Sequence, residues 1–209
     1  MIRFNHARLL VAATLIGAVS TFSASTASAQ SPEIVRVRGE IVSLEGAALT
    51  VKSRQGANVT IHLADDLRVV GIVRASIADI KPGVFIGTSS VPKEGSTSRA
   101  LEIHILPEAS RGAGEGDRPW DLMPGSSMTN GTAATAVDSA DGKTVTITYK
   151  GGQRVIVIQP DTAIVTYMAA DKSDLKPGAK VFITTQKGPD GTLNARSVSV
   201  GKDGITPPM

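Results

Sequence analysis

Residues 79–83 read Asp-Ile-Lys-Pro-Gly, and residues 174–178 read Asp-Leu-Lys-Pro-Gly. Proline has the φ needed at the second position of a type II turn, and glycine supplies the positive φ needed at the third. The motif therefore predicts one tight turn at Pro82 and Gly83 and an equivalent turn at Pro177 and Gly178.

The sequence on both sides of these turns is also repeated, at a spacing of 95 to 96 residues. Residues 39–105 align with residues 134–200, and the matched positions are mostly turn glycines and alternating apolar residues. The matches are Gly46 with Gly142, Val51 with Ile147, Gly56 with Gly152, Ile61 with Val157, Asp65 with Asp161 and Ala100 with Ala195. A fixed period indicates that each copy is one folding unit.

Apolar and polar residues alternate within each copy, as where threonines separate Val145, Ile147 and Tyr149. This period of two predicts strands with one buried face. Five main strands are expected per copy, at 34–44, 47–53, 57–63, 83–90 and 99–106, then at 132–139, 143–150, 152–159, 179–187 and 192–200. Short extra strands are expected at 66–73 and 162–167.

One helical turn is expected between the third and fourth main strands of each copy. Ser76 with Asp79, and Asp171 with Asp174, have the spacing of a helix cap. Three strands, a helical turn and two strands form the order of an OB-type barrel. The predicted fold is all-β, with two tandem small OB-like β-barrels of five to six strands each. A single larger sandwich, in which strands of both copies share a sheet, is the open alternative.

The repeats resemble the bacterial domain of unknown function numbered fifty-six sixty-six. The resemblance rests on a glycine turn before Leu-Thr-Val at 49–51, on Asp-Leu-Lys-Pro-Gly at 174–178, and on the spacing of Gly191, Ala195 and Val198. It covers most of 34–106 and 132–201, and the first copy departs from it at Ile80. The resemblance implies exported β-barrel modules, often in tandem, and implies no active site.

Residues 1–29 have the organisation of a secretory signal peptide. A basic start with Arg3 and Arg8 precedes an apolar run at 9–19, and residues 27–29 read Ala-Ser-Ala. The run is about half of the ~20 residues that a membrane-spanning helix needs. We expect cleavage before Gln30, a periplasmic or secreted protein without a lipidated cysteine, and no membrane span.

The mature chain is expected to divide into module 1 at 32–106, a Gly/Pro-rich connector at 107–131, module 2 at 132–202 and a flexible tail at 203–209. The connector holds Trp120, the only tryptophan of the chain. We expect Trp120 to pack across a barrel mouth or between barrels, and contact with a ligand or partner is the alternative.

Composition excludes several classes of function. Without the signal peptide the chain has 20 basic and 19 acidic residues, with no concentrated positive segment for nucleic acid. The absence of cysteine excludes thiolate nucleophiles and thiolate metal sites. No hydrolase motif or recognisable carboxylate pair occurs. We therefore predict no catalytic residue, no enzymatic activity and no cofactor.

His62 and His104 are the histidines of the mature chain. Both lie between apolar residues and are expected to face solvent. They are weak metal-ligand candidates together with Asp65, Asp66 or Glu102. A hard cation at Glu115, Asp117 and Asp121 is a weaker candidate.

The predicted function is a non-catalytic binding or assembly component of the cell envelope, whose partner is an envelope protein or a small ligand. The alternative is a periplasmic protein that binds a metal or small ligand, such as an accessory to a transporter.

Overall fold

The computed structural model describes residues 33–93, 95–139 and 142–208. This part of the chain is all-β, as the alternating pattern predicted. Its strands are β1 (Glu33–Glu45), β2 (Ala48–Ser53), β3 (Asn58–Arg74), β4 (Phe85–Pro92), β5 (Thr97–Ile105), β6 (Gly116–Pro119), β7 (Ser127–Ser139), β8 (Gly142–Tyr149), β9 (Gly152–Ile158), β10 (Ala163–Ala169), β11 (Lys180–Lys187) and β12 (Leu193–Gly201). Single 3₁₀ turns form at Ile77–Asp79, Glu108–Ser110 and Lys172–Asp174.

Five strands, β1, β2, β3, β11 and β12, close into a mixed β-barrel, here called barrel A. Strand β1 pairs antiparallel with β2 and with β11, while β2 pairs with β3 and β11 pairs with β12. The barrel closes where β12 runs parallel to β3, from Leu193 opposite Ile61 to Gly201 opposite Ile72.

Seven strands lie outside barrel A. Five of them, β4, β5, β7, β8 and β9, pair in a second ring, here called ring B. Its last contact is short, with three parallel pairs from Thr97 opposite Val155 to Arg99 opposite Val157. Strand β6 adds to the edge of β7, and β10 joins the two rings by pairing with β3 and β5.

The two sequence repeats are interleaved in this arrangement. Barrel A takes β1 to β3 from the first copy and β11 and β12 from the second, while ring B takes β7 to β9 from the second copy and β4 and β5 from the first. The expectation that 34–106 and 132–201 each close a separate barrel is therefore wrong in its connectivity. Both connectivities satisfy the same alternation and the same turns, so the local pattern does not distinguish them.

Each turn between the third and fourth strands of a copy carries the chain across to the other ring. Ile80 follows the first such turn and packs in the core of ring B, whereas Leu175 follows the second and packs in barrel A. The capping interactions predicted for these turns are present. The Ser76 hydroxyl accepts from the Ala78 amide, and the Asp171 carboxylate accepts from the Ser173 amide.

The Lys-Pro-Gly turns also have the expected geometry. Gly83 has φ +91° and Gly178 has φ +85°, so the prediction of positive φ at both positions is confirmed. The Val84 amide donates to the Lys81 carbonyl, which closes the first turn, and Ala179 donates to Lys176 in the second.

Two strands depart most from their predicted bounds. Strand β7 begins at Ser127 rather than at 132, and β3 runs unbroken through the extra strand expected at 66–73. Gly131, rather than Ala134, holds the position equivalent to Gly39. A Cβ on Gly39 would lie 2.1 Å from the Lys52 carbonyl oxygen, and one on Gly131 would lie 2.4 Å from that of Thr148.

The C-terminal segment packs against β3 instead of forming the tail predicted at 203–209. The Lys202 amide donates to the Ile72 carbonyl, and Ile205 is buried beside Ile72. The predicted signal peptide at 1–29 lies outside the described residues. Within 33–93, 95–139 and 142–208, no helix is long and apolar enough to cross a membrane.

Candidate functional site

Strand β12 breaks its pairing with both neighbours at the same place. Against β11 the register shifts between Ile183 and Gln186, and against β3 it shifts between Ala195 and Ser197. Arg196 falls inside both gaps. Irregular pairing of this kind is frequent beside functional sites, because it re-aims side chains and frees backbone groups.

A groove of about 590 Å³ lies at this break in the wall of barrel A. Ile34, which is 45 % exposed, provides an apolar wall. The other lining residues are His62, Leu63, Ala64, Thr184, Gln186, Lys187, Gly188, Pro189, Asn194, Ala195, Arg196 and Ser197. This volume is within the range of small-molecule pockets, about 300–1,000 Å³.

The charges at the groove are balanced. Lys187 Nζ lies 3.1 Å from a Glu33 carboxylate oxygen, and an Arg196 Nη atom lies 3.1 Å from an Asp66 oxygen. His62 is exposed, as expected, and lines the groove. Both of these cations therefore have a carboxylate partner at the groove.

His104 is buried, at 2 % exposure, and the expectation that it faces solvent is wrong. Alternation correctly places it on the side away from the core of ring B, but Tyr167 of β10, a strand that pairs with β5 there, packs beside the imidazole with ring centroids 5.9 Å apart. His104 Nδ1 lies 3.1 Å from the Tyr167 hydroxyl oxygen, and Nε2 lies 3.7 Å from Glu102 Oε1.

Glu102 is 1 % exposed, and neither of its carboxyl oxygens has a hydrogen-bond partner in the described structure. Burial raises the pKa of Glu102, although His104, Arg38 and Arg54 act in the opposite direction. Burial also raises the pKa of Tyr167 to about 12, so its hydroxyl stays protonated at physiological pH. The polar residues Glu102 and His104, which alternate with apolar residues in β5, were the only sequence signal for this cluster.

Trp120 contacts both barrel A and the connector, whereas the sequence suggested packing across a barrel mouth or between barrels. The guanidinium carbon of Arg36, on β1, lies 4.1 Å from the ring centroid, and that of Arg118 lies 5.8 Å away. Next to it, Asp121 Oδ1 accepts a hydrogen bond of 2.8 Å from Arg38 Nη2.

A cavity of about 80 Å³, here called the connector cavity, lies beside Trp120. Its lining comes from the connector, from β4, β5 and β7 of ring B, and from β10. The lining residues are Gly87, His104, Leu106, Arg118, Trp120, Met128, Asn130 and Tyr167. The packing of Trp120 does not exclude the ligand contact that was the alternative.

The histidines proposed as metal ligands lie in different places, His62 at the groove and His104 at the connector cavity. Among the residues that the structure describes, no three or more His, Cys, Asp or Glu side chains are grouped for a metal ion. The connector carboxylates act separately: Glu115 accepts from the Lys150 amide, and Asp117 pairs with Arg154.

Sequence reasoning did not identify Gln186, Asn194 or Arg196 as site residues, because the groove depends on the break in β12 and no local motif marks that break. No protein-family model, curated protein or solved structure matches the chain.

Proposed function

We propose that the protein is an exported, non-catalytic binding protein of the cell envelope, and that the groove of barrel A holds an extended polar segment of an envelope protein. The observation that carries this proposal is the coincidence of the groove with the break in β12. Barrel A has the strand pairing of an OB-like barrel. Barrels of this type often bind ligands beside their connecting loops.

The chemistry of the groove fits a peptide segment. Backbone groups around Arg196 and in residues 64–67 lie outside the β3–β12 ladder, so they can pair with another backbone. The side-chain amides of Gln186 and Asn194 offer both donors and acceptors. No Phe, Tyr or Trp side chain lines the groove, which disfavours stacked bases.

A second candidate is a periplasmic protein that binds a small ligand. The connector cavity favours this function, since it is partly enclosed and polar groups line it. The metal-binding form of this candidate has less support, because His62 and His104 line separate spaces.

Site-specific photo-crosslinking in the exporting cell tests the proposal. A crosslinker at Asn194 is expected to give a discrete protein adduct, and Arg196→Glu is expected to reduce its yield several-fold. Gln153 is the matched control, since it lies at the opening beside the β5–β9 contact of ring B. The same adducts from both positions, or none from Asn194, would contradict the proposal.

A further inference from the structure

We infer that the connector cavity is a binding site for a carboxylate group about the size of formate or acetate. The site shares no lining residue with the groove of barrel A, so it does not depend on the function proposed for that groove.

The space fits a group of this size. One water molecule occupies about 30 Å³ in the liquid, so about 80 Å³ corresponds to two or three waters or to a small planar anion. Gly87 keeps this space open, because a Cβ there would lie 2.8 Å from Asn130 Oδ1 and 3.7 Å from Leu106 Cδ1. An aromatic or phosphate-bearing ligand is too large to enter completely.

The local charge favours an anion. Arg36, Arg38 and Arg118 surround Trp120 and Asp121, and Asp121 is the carboxylate that pairs with Arg36 and Arg38. Arg118 donates to the Gly114 carbonyl at 2.7 Å, and no salt bridge joins it to a carboxylate in the described part of the chain. Burial and the neighbouring Arg36 lower the pKa of Arg118, which means that they destabilise its positive charge. A bound anion would stabilise that charge.

The neutral groups of the lining are suited to a carboxylate. Tyr167 contributes a protonated hydroxyl, whose oxygen lies 3.1 Å from His104 Nδ1. His104 Nε2 lies 3.7 Å from Glu102 Oε1, so the hydroxyl can donate to a carboxylate when Nδ1 carries the ring proton and donates to the Tyr167 oxygen. The indole Nε1 of Trp120 is also buried without a partner, and an indole nitrogen only donates. Charge-assisted hydrogen bonds from such donors to a carboxylate are stronger than bonds between neutral groups.

Trp120 is the only tryptophan, so its emission reports directly on the cavity. The full mature chain is titrated with sodium formate and with sodium acetate, at constant ionic strength against sodium chloride. A saturable change in emission with the carboxylates, absent with chloride, is expected. An equal response to chloride, or a purely linear response, would overturn the inference.

Variants locate the response. Gly87→Ala should abolish it by filling the cavity, and Arg118→Gln should weaken affinity at least tenfold. Arg68→Gln, at an exposed position of β3 outside the lining, should leave the response unchanged. Leu106→Phe replaces Gly87→Ala if the latter lowers the melting temperature. An unchanged response in a folded cavity-filling variant would refute the site.

A final titration with N-acetylglycine distinguishes the two sources of a carboxylate. Binding by formate and acetate alone identifies a free small acid, whereas binding by N-acetylglycine as well identifies the carboxylate end of a longer molecule.

Discussion

Ile72 in β3 lies directly opposite Tyr167 in β10, and the two residues occupy equivalent positions of the repeats, 95 residues apart. Equivalent strands that cross antiparallel at equivalent residues define a local two-fold axis. The two rings are built in a corresponding way, because each takes three strands from one copy and its last two strands from the other.

Engineered disulfides should detect this exchange, since the chain has no cysteine of its own. Glu40 lies opposite Lys180 across β1 and β11, and their side chains form an ion pair. Glu40→Cys combined with Lys180→Cys should therefore form an intramolecular disulfide, read by mass spectrometry after proteolysis.

The matched control is Thr132→Cys combined with Lys180→Cys. In the structure Thr132 lies opposite Phe85, and Phe85 occupies in the first copy the position that Lys180 occupies in the second. Two contiguous barrels would place Thr132 beside Lys180, so a disulfide in this control and none in the first pair would refute the exchanged connectivity.

Replacement of Gly83 or Gly178 by alanine should lower the free energy of unfolding by about 1 kcal/mol, because alanine is strained at positive φ. No atom lies within 4 Å of a Cβ at Gly83, so the cost there arises from the backbone alone. Gly39→Ala should cost more, since its Cβ would collide with the Lys52 carbonyl. Urea unfolding measures all three, and equal stability of Gly83→Ala and the wild type would contradict the turn assignment.

The buried carboxyl of Glu102 should make stability depend on pH. Its pKa is raised in the folded state, mainly by burial, so the folded protein holds this proton more tightly than the unfolded chain does. The resulting stabilisation is complete below the unfolded pKa and is lost as pH rises through the folded pKa. Glu102→Gln should therefore melt higher than the wild type at pH 8 and at a similar temperature at pH 4.

Glu45→Gln, at an exposed position, serves as the control and should alter neither value. A lower melting temperature of Glu102→Gln at pH 8 would instead show that Glu102 is ionised and that His104, Arg38 and Arg54 stabilise its charge.

Trp120 should emit at shorter wavelength in the native chain than in the unfolded chain, because Arg36 and the connector partly cover it. Arg36→Ala removes the closer cation–π contact and should shift native emission to longer wavelength; the loss in stability should be about 0.5–1 kcal/mol. Arg68→Ala is the control. Native emission of the wild type at the unfolded wavelength would show that Trp120 does not pack against β1.

Local features of the fold were predictable from the sequence. Val145 and Ile147 alternate with threonines, and both are buried in the core of ring B. The turns at Gly83 and Gly178 were predictable because each is specified by five adjacent residues, 79–83 and 174–178. The partner of β1, by contrast, was not predictable. Strands β4 and β11 have equivalent positions in the repeat, and the local pattern allows either to pair with the edge of β1.

The candidate site was less predictable for a related reason. Periodicity specifies that His104 points away from the core of ring B, but it does not specify that Tyr167 packs against the imidazole on that side. The groove beside Asn194 arises where three strands lose register together, and no single strand encodes that event.

The exchange of strands also affects when the protein can fold. Glu33 at the start of β1 contacts Lys187 across 154 residues, and barrel A is complete only when β12 has joined it. A chain that is synthesised or translocated from its N-terminus therefore cannot finish its first barrel until almost all of it has emerged. Such long-range pairing slows folding. In this connectivity the first three strands of barrel A stay unclosed until β11 and β12, the last strands of the described chain, are available.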